Sequence, residues 1–376
     1  MQFAQMLQDR PRVEAYAESM RRSIRAGDLV VDIGCGTGYF SFLACQLGAR
    51  KVYAIEPDEV IEVARESARA SGLSDRIEFI RDLSTRVELP EKARVIISDL
   101  RGALPPHTLH LTSLIDARTR LLEPGGILIC QRDTLSVALI EHAEGHDRCQ
   151  HVWDSLAGVD QSACKAVAVN TREPVRFRKG IRLGPAQAWA VIDYCHNTEP
   201  HVSGGTRWKL AEPFRAHGLC LWFDAEYAGG VQYTSGPNHV GTPVYGRLFF
   251  PWPQEARLGP EEIVDVQLEA RLIGQDYVWN WETRISTAAG IETSRFSQSS
   301  LLDRPLAAAR LQRRSPRYTP ELDDEGNATR FALSLMDGTR PQQAIAEQLK
   351  QGYPHRFATS SEALDFVTLL SLKFSK

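Results

Sequence analysis

The sequence lacks a long hydrophobic run: no segment approaches the roughly 18 consecutive apolar residues that a membrane-spanning helix needs. Charges at Asp9, Arg10 and Arg12 also leave the N-terminus without the apolar core of a signal peptide. Internal repeats and low-complexity tracts are absent as well. These absences argue against membrane-bound, secreted and repeat proteins, and we expect a cytoplasmic protein without a membrane partner.

Positive charge is not in excess either, since 44 Lys and Arg residues face 47 Asp and Glu residues, for a net charge of −3. A chain without surplus cations is poorly suited to neutralise phosphates, so we predict no nucleic-acid partner. The seven cysteines include no Cys-x-x-Cys pair, which is typical of reduced cytoplasmic thiols, and we predict no metal site. They are Cys35, Cys45, Cys130, Cys149, Cys164, Cys195 and Cys220.

What is present is a chain of 376 residues with 43% hydrophobic content, enough for roughly two or three domains with cores of their own. Residues 1–148 alternate apolar strand patterns with helical patterns, which predicts a Rossmann-like parallel sheet covered on both faces. The expected elements are helix Pro11–Ile24, strand Leu29–Ile33, helix Tyr39–Leu47, strand Lys51–Ile55, helix Glu59–Ser71, strands Ile77–Arg81 and Arg94–Ser98, helix Leu109–Leu122, a turn at Glu123–Gly126 and strand Ile127–Arg132.

Residues 149–302 change to short alternating runs broken by Gly, Pro and Asn, which predicts an antiparallel β-barrel or sandwich. The expected strands are Ala188–Tyr194, Gly218–Tyr227, Val231–Ser235, Tyr245–Phe250, Glu262–Leu272 and Tyr277–Ile285.

The end of the chain has a third character. Residues 303–320 interleave arginine with proline and are interpreted as a linker, rather than as an anion site. Residues 321–376 have the spacing of three helices, expected at Asn327–Met336, Pro341–Leu349 and Ser361–Lys373.

The most informative motif is a glycine turn between two predicted strands. Residues 30–38 read Val-Val-Asp-Ile-Gly-Cys-Gly-Thr-Gly, and Glu56 closes the next strand, where an acid accepts hydrogen bonds from ribose hydroxyls. Asp32 with Gly34-x-Gly36-x-Gly38 resembles motif I of class I S-adenosylmethionine (SAM) methyltransferases. A nicotinamide site is the alternative, but it requires Gly-x-Gly-x-x-Gly, and Tyr39 follows Gly38 without the third glycine.

Over residues 6 to 290 the order of segments resembles the protein arginine methyltransferases. The matching stretches are Met6–Asp9 with Arg12, Val31–Gly38, Ala54–Glu56, Ile96–Asp99, Val152–Asp160, Leu221–Asp224 and Tyr233–Pro237. The resemblance implies that SAM is the cofactor and S-adenosylhomocysteine the product. It also implies a homodimer, although residues 198–213 are too irregular for us to identify the family's dimerisation arm.

The resemblance also implies roles for individual residues at the cofactor. Arg12 would pair with the carboxylate of the SAM methionine, and Glu56 would bind the ribose. Asp82, after the strand at Ile77–Arg81, is a candidate adenine contact, with a loop cap as the alternative. The methionine end would lie on the motif residues Asp32, Gly34, Cys35, Gly36 and Gly38.

The chain departs from the family where the acceptor would bind. The family holds a substrate guanidinium between two glutamates, a bidentate arrangement suited to that group. Here Asp99 stands first, Arg101 follows, and the second position falls near Thr108, with no acid before Asp116. The family's Thr-His-Trp loop is also replaced, by Gly241–Tyr245. A two-carboxylate clamp is therefore missing.

Three residues remain as catalytic candidates: Asp99 to orient or deprotonate an acceptor, and His107 or His110 as a base suited to neutral pH. The alternative for each histidine is a helix cap or solvent exposure. His239 and Tyr16 are further candidates, and packing is the alternative explanation for both.

At the C-terminus, Leu335-Met-Asp-Gly-Thr339 before an Ile-Ala helix resembles PqqD-like, winged-helix peptide-recognition domains. Such domains bind a leader peptide by adding its strand to a sheet edge. A dimerisation or packing appendage is the alternative.

These patterns together predict a SAM-dependent N-methyltransferase that acts on a peptide or protein side chain, at arginine, histidine or another amine. If the C-terminal resemblance holds, its substrate is a ribosomally made peptide. The alternatives are a catalytically silent SAM-binding partner and a small-molecule methyltransferase.

Overall fold

The computed structural model describes residues 2–153, 158–177, 179–241, 243–305 and 307–375. They divide into two compact units, Met1–Pro305 and Leu306–Lys376. Residues 154–157 of the resembling stretch Val152–Asp160 lie outside this description, as does Thr242 of Gly241–Tyr245, the segment that departs from the family. No helix of the described residues combines the length and the apolar character needed to cross a bilayer.

The first unit begins with a parallel sheet of five strands in the order β3-β2-β1-β4-β5. Its central strands are mostly apolar and almost entirely buried, because both faces of the sheet are covered, as the sequence predicts. The elements in chain order are α1 (Gln2–Gln8), α2 (Arg10–Ser23), β1 (Leu29–Ile33), α3 (Tyr39–Gln46), β2 (Lys51–Ile55), α4 (Ile61–Ala70), β3 (Ile77–Ile80), β4 (Ala93–Ser98), α5 (His110–Arg120) and β5 (Leu122–Leu128).

The order of these strands reverses between β1 and β4, which are parallel neighbours although β2 and β3 lie between them in the chain. In open α/β sheets ligands bind at the carboxyl ends of the strands flanking such a reversal. The loops after β1, β2 and β4 begin with Gly34, Glu56 and Asp99, so the fold brings the three predicted regions of the site to one edge.

Two antiparallel sheets complete the first unit: a four-stranded sheet in the order β10-β14-β15-β16, and a seven-stranded sheet built on β7-β13-β11-β6-β8, with β12 on β11 and β9 on β6. Their elements are β6 (Cys130–Glu141), α6 (Ala143–Cys149), α7 (Ser162–Ala168), β7 (Glu173–Pro174), β8 (Arg182–Leu183), β9 (Gln187–Asp193), β10 (Val202–Lys209), β11 (Phe214–Tyr227), β12 (Val231–Thr234), β13 (Leu248–Leu258), β14 (Glu262–Ile273), β15 (Asp276–Thr287) and β16 (Glu292–Ser299).

The prediction of one strand at Ile127–Arg132 after a turn is wrong. The Glu123–Gly126 segment belongs to β5, where an irregular register beside β4 accommodates it. After Ile129 the chain starts a separate strand, β6, which runs to Glu141 and pairs with β11 instead of the parallel sheet. The antiparallel pairing therefore begins at Cys130, while a domain boundary after residue 148 remains a prediction.

Strands β10 and β16 were not predicted from the sequence. β10 lies in the irregular segment 198–213, and its Gly204 allows the carbonyl of Trp189 in β9 to approach where a side chain would stand. β16 is polar at most positions and pairs with β15.

The second unit is helical. It consists of α8 (Ala308–Arg313), α9 (Asp324–Leu335), α10 (Gln342–Gly352) and α11 (Ser360–Phe374), the last three packing around Ala328, Ile345, Leu349 and Val367. The helix α8 falls inside the predicted linker 303–320. The described part of this unit contains no strand, so the sheet edge implied by a PqqD-like or winged-helix resemblance has no counterpart in residues 307–375.

Candidate active site

The glycine turn after β1 forms the floor of the site. Gly34, Gly36 and Gly38 have φ values of +73°, +51° and +84°, in the left-handed region that other residues avoid. A side chain at Gly36 would stand 2.6 Å from the ring of Phe3 in α1. A cavity of about 50 Å³ opens beside this turn, and its walls include Arg12, Asp32 and Asp99. There is no room for a side chain at Gly36, and its absence allows a ligand to approach the backbone closely.

Glu56 lies at the end of β2 with both carboxylate oxygens held by backbone amides. Its Oε2 accepts a hydrogen bond from the Gly36 amide at 3.1 Å, and its Oε1 accepts one from the Asp58 amide at 3.0 Å. The side chain borders a second cavity of about 450 Å³, a volume typical of cofactor and ligand pockets. Glu56 is therefore fixed where a ribose diol can bind.

Asp82 is placed differently from the expectation. Its Oδ1 caps the Leu83 amide at 2.7 Å, which is the loop-cap alternative. The residues that follow it, Leu83, Ser84 and Thr85, line the larger cavity instead. Asp82 itself is not among the described residues that line this cavity, and its contact with an adenine remains a prediction.

Asp32 and Cys35 are buried within the turn. Asp32 is 2% exposed and accepts a hydrogen bond from Ser41 Oγ at 2.6 Å. Burial raises the pKa of Asp32 to about 7, with the nearby charge of Glu56 adding to the effect. Burial also raises the pKa of the Cys35 thiol, which makes it an inert neighbour of the cavity.

Arg12 reaches the site from the first turn of α2, which Asp9 caps. Its Nε donates to Asp99 Oδ2 at 2.7 Å and to the Tyr245 hydroxyl at 3.1 Å, and its Nη1 donates to the Met6 carbonyl at 3.1 Å. Burial lowers the pKa of this guanidinium, but the carboxylate of Asp99 and the hydroxyls of Tyr245 and Tyr16 together outweigh that effect and raise the pKa of Arg12. Arg12 thus borders the cavity while it holds the carboxylate of Asp99.

Asp99 is engaged at both oxygens. Arg12 bonds Oδ2, and the Tyr245 hydroxyl donates to Oδ1 at 2.5 Å. The side chain is 5% exposed and borders both cavities. It stands where the sequence placed it, but both of its oxygens already have partners in the protein.

A second buried ion pair was not predicted. Arg101 meets Asp133 of β6 through two parallel bonds, Nε to Oδ2 at 2.7 Å and Nη2 to Oδ1 at 2.8 Å. Its Nη1 donates to the Tyr16 hydroxyl at 2.9 Å, which in turn donates to the Ser98 carbonyl. Asp133 lies in the polar first part of β6, between Arg132 and Thr134, so the sequence carried little signal for a buried pair there.

His110 ends a chain of hydrogen bonds that starts at the same carboxylate. The Tyr194 hydroxyl donates to Asp133 Oδ2 at 2.5 Å, so its oxygen accepts from His110 Nε2 at 3.0 Å. This assigns the proton to Nε2, and Nδ1 keeps its lone pair with no partner among the described residues. Burial, with Arg101 nearby, holds the pKa of His110 well below the ordinary histidine value.

His107 and Thr108 lie at the rim of the larger cavity. The pKa of His107 is lowered by partial desolvation, so the imidazole is neutral at pH 7. Thr108 has a φ of +40°, and no other described residue except glycine has a positive φ. That Thr108 stands near the position of the family's second glutamate remains a prediction. The larger cavity has only Glu56 and Asp99 as acids among its described lining residues.

The two remaining candidates are structural. The Nδ1 of His239 lies 2.9 Å from the Thr234 carbonyl, and its Nε2 lies 3.4 Å from the Asp9 carboxylate that caps α2. Tyr16 is fully buried behind Arg101. Both support the position of α2 at the site.

Comparison with known proteins agrees with this geometry. The family model described as "Methyltransferase domain" matches residues 30–126. A probable protein arginine N-methyltransferase 6 of Arabidopsis thaliana is 32% identical over 60% of this chain and 54% of its own length. Protein arginine N-methyltransferase 6 of Danio rerio is 29% identical over 59% of this chain and 67% of its own. The chain thus spans little more than half of the Arabidopsis relative.

Solved structures show the same fold. The crystal structure of Arabidopsis thaliana protein arginine methyltransferase 10 has a TM-score of 0.70 at 22% identity and covers 78% of this chain and 95% of its own. The Trypanosoma brucei PRMT1 enzyme-prozyme complex with AdoHcy gives 0.69 at 21% identity, with the same coverage. Residues 30–126 are accordingly a SAM-dependent methyltransferase domain, in a chain with the fold of the protein arginine methyltransferases.

Proposed function

We propose that this protein transfers a methyl group from SAM to a nitrogen atom of a peptide or protein side chain. The observation that carries the proposal is the larger cavity, which is lined by Glu56 of the glycine-turn region and by Asp99, His107 and His110 of the loop after β4. One cavity thus joins a nucleotide-type site to a set of groups suited to binding and deprotonating an acceptor.

The residues on the cofactor side fit SAM. The glycine turn leaves room for close approach, Glu56 offers two oxygens to the ribose hydroxyls, and Asp32 supplies negative charge near the cationic methionine end. Arg12 borders the same turn and would bind the methionine carboxylate. Its hydrogen bond to Asp99 links the glycine turn, where the cofactor would bind, to the loop after β4, where the acceptor would bind.

On the acceptor side the chain needs to orient a nitrogen and to remove its proton. When bound, SAM supplies a methyl carbon that takes the nitrogen's lone pair while the carbon–sulfur bonding pair stays with sulfur. The neutral imidazoles of His107 and His110 can accept the released proton, since lowered pKa values keep their lone pairs available at pH 7. Asp99, held by Arg12 and Tyr245, fixes the geometry.

A protein or peptide substrate is supported by the names of the relatives, which are protein arginine N-methyltransferases. A ribosomally made peptide remains our more specific proposal, based on the Leu335–Thr339 motif. With helices alone in the described part of the second unit, a leader peptide would bind a helical surface there. We also propose a homodimer, as the family resemblance implies.

The test is methyl transfer from isotope-labelled SAM to three peptides that differ only in a central His, Lys or Arg, read by mass spectrometry. Transfer to a nitrogen supports the proposal, and Glu56→Ala should greatly reduce it at limiting SAM. Tight SAM binding without transfer to any peptide would favour a catalytically silent partner, a role to which the full engagement of Asp99 also points.

A further inference from the structure

The guanidinium of Arg101 occupies a site with the features by which proteins recognise a guanidinium ligand. Asp133 binds it through two parallel hydrogen bonds, the geometry in which a carboxylate matches the planar fork of arginine. Its remaining nitrogen, Nη1, donates to the Tyr16 hydroxyl and to Cys130 Sγ. The side chains of Arg101 and Asp133 are both fully shielded from solvent.

Aromatic rings complete this site. The guanidinium carbon of Arg101 lies 5.6 Å from the ring centre of Tyr194 and 5.5 Å from those of Phe223 and Tyr227. Rings at this distance attract a cation through their negative faces. The rings come from β11 and from the residue after β9, whereas Arg101 comes from the loop after β4. The pocket is therefore formed by parts of the chain that are distant in sequence.

This site adjoins the acceptor side of the larger cavity. Arg101 lines that cavity together with Asp99, and its Nη1 is 3.8 Å from Asp99 Oδ1. The buried charges there are matched one to one, with Arg12 on Asp99 and Arg101 on Asp133. A cationic acceptor would find no free carboxylate among the described lining residues on this side, since Glu56 lies after β2 and accepts from the Gly36 amide of the glycine turn.

We propose that Arg101 fills, within the chain itself, the place that a guanidinium acceptor would take, so that the site selects an uncharged nitrogen and excludes arginine. The statement about the acceptor rests on the proposed methyl transfer, whereas the occupied guanidinium site does not. An imidazole nitrogen fits this selection, because it is neutral at pH 7 and can keep an available lone pair.

A pair placed only for stability is a weaker explanation. Buried ion pairs are often replaced by apolar residues without loss of stability, because desolvation offsets their attraction. Here the main chain of Arg101 lines a ligand cavity, and its shielded guanidinium lies behind that wall, with Nη1 3.8 Å from the Asp99 carboxylate that borders the cavity. The guanidinium therefore places a positive charge beside Asp99 at the cavity wall, a role that an apolar replacement would not fulfil.

The first experiment tests the occupied guanidinium site without any methyl transfer. Arg101→Ala should expose Asp133 and the three rings, and low-millimolar guanidinium should then stabilise this variant against heat, whereas urea, a neutral molecule of the same shape, should not. At a guanidinium concentration ten times its Kd, the ratio of folded to unfolded protein should rise about elevenfold.

The matched control is Arg247→Ala. Arg247 is also buried and lies 4.5 Å from the ring centre of Phe177, but its terminal nitrogen donates to the Gly236 carbonyl rather than to a carboxylate. Neither this variant nor the unmodified protein should respond to guanidinium. An Arg101→Ala variant that folds but shows no selective response overturns the proposal. If the variant is insoluble, its refolding yield with guanidinium, compared with urea, decides in the same way.

The second experiment tests selectivity on the unmodified chain with the His, Lys and Arg peptides. Methylation of the His peptide alone supports the proposal, and methylation of the Arg peptide overturns it. If no peptide is methylated but guanidinium still stabilises Arg101→Ala, the proposed methyl transfer fails while the occupied guanidinium site stands. Arg101→Met, which keeps an unbranched apolar side chain against the rings, should gain measurable affinity for the Arg peptide.

Discussion

The two sides of the cavity are built on different principles. The cofactor side is open backbone, in which three glycines with positive φ leave space, and Glu56 is held by two amides. The acceptor side is filled with side chains, and its carboxylates, Asp99 and Asp133, are paired with Arg12 and Arg101. The cofactor side leaves space and a carboxylate for a ligand with charges and hydroxyls. On the acceptor side, the buried carboxylates are already paired with arginines of the chain.

This difference shows which property of the scaffold is general and which is particular to this chain. Cofactor binding depends on backbone conformation and one acid, both of which follow from a short motif. We propose that acceptor binding depends on contacts between distant segments. There the chain has Asp99 and Thr108 near the positions at which the family resemblance predicts two glutamates, with the buried Arg101 between them. Substitutions on each side test whether the cofactor side depends on Glu56 and the acceptor side on its paired charges.

The largest effect is expected from Asp133→Ala, which removes the carboxylate that binds the buried guanidinium of Arg101 through two bonds and leaves it only the Asp99 carboxylate, 3.8 Å away and already paired with Arg12. Breaking a buried pair in this way costs about 3–5 kcal/mol of unfolding free energy. Urea denaturation measures this loss, and Arg101→Met in the same chain should restore part of it. The control is Glu91→Ala, which removes an exposed partner of Arg50 and should leave the midpoint unchanged. Equal midpoints for both single variants would show that the acceptor side does not depend on its paired charges.

On the cofactor side, Glu56→Ala should weaken SAM binding by about tenfold to a hundredfold, because hydrogen bonds to a charged acceptor are lost. Titration calorimetry measures the Kd. Glu59→Ala removes an exposed acid that pairs with Arg81, and it should leave the Kd unaltered. A normal Kd for Glu56→Ala would show that Glu56 does not contact the ribose.

Substitutions on the acceptor side should reduce kcat without preventing SAM binding. Asp99→Asn and His110→Ala are expected to reduce kcat by about a hundredfold, the usual contribution of acid–base groups, while SAM still binds. The exposed His196 provides the control variant His196→Ala. Because the imidazoles of His107 and His110 have lowered pKa values, kcat should stay level as the pH falls from about 8 to about 6.5 and decrease only below that. Unchanged rates in both variants would exclude this loop from the chemistry.

The smallest effect concerns Asp32, whose pKa of about 7 places its ionisation at physiological pH. SAM affinity should increase with pH up to about 7, because the ionised carboxylate attracts the cationic methionine end. The stability of the ligand-free protein should change in the opposite direction, since a carboxyl with a raised pKa loses stability as it ionises. Asp32→Asn should flatten both dependences, and a pH-independent Kd in the unmodified protein would contradict this.

The sequence was sufficient for the parallel sheet and for the cofactor side. Strands β1 and β2 were predicted to the residue, because each is a run of apolar residues that ends at a glycine or an acid. Asp32, Gly36 and Glu56 could be placed together because consecutive parallel strands end at the same edge. The proposed cofactor side is formed by elements close in sequence, so a short motif and its spacing were enough to predict which residues meet there.

The acceptor side and the antiparallel sheets were less predictable for a physical reason. Arg101 and Asp133 are 32 positions apart, one in a loop and the other in a strand of a different sheet, so no periodicity relates them. Tyr194 and Tyr245 reach the site from still later segments. In β10, Gly204 interrupts the alternation by which strands are recognised. Contacts of this kind depend on how strands pair across the sheet, which spacing along the chain does not specify.

Thr108 has a consequence for how the protein will respond to selection. A β-branched side chain held at a φ of +40° costs roughly 1–3 kcal/mol, and the loop maintains this conformation at the cavity rim. Glycine or asparagine would adopt it more easily. Selection for heat resistance alone should therefore enrich those residues at position 108, whereas selection for turnover should retain threonine. At position 108, higher thermal stability is therefore expected to require glycine or asparagine, whereas activity is expected to require threonine.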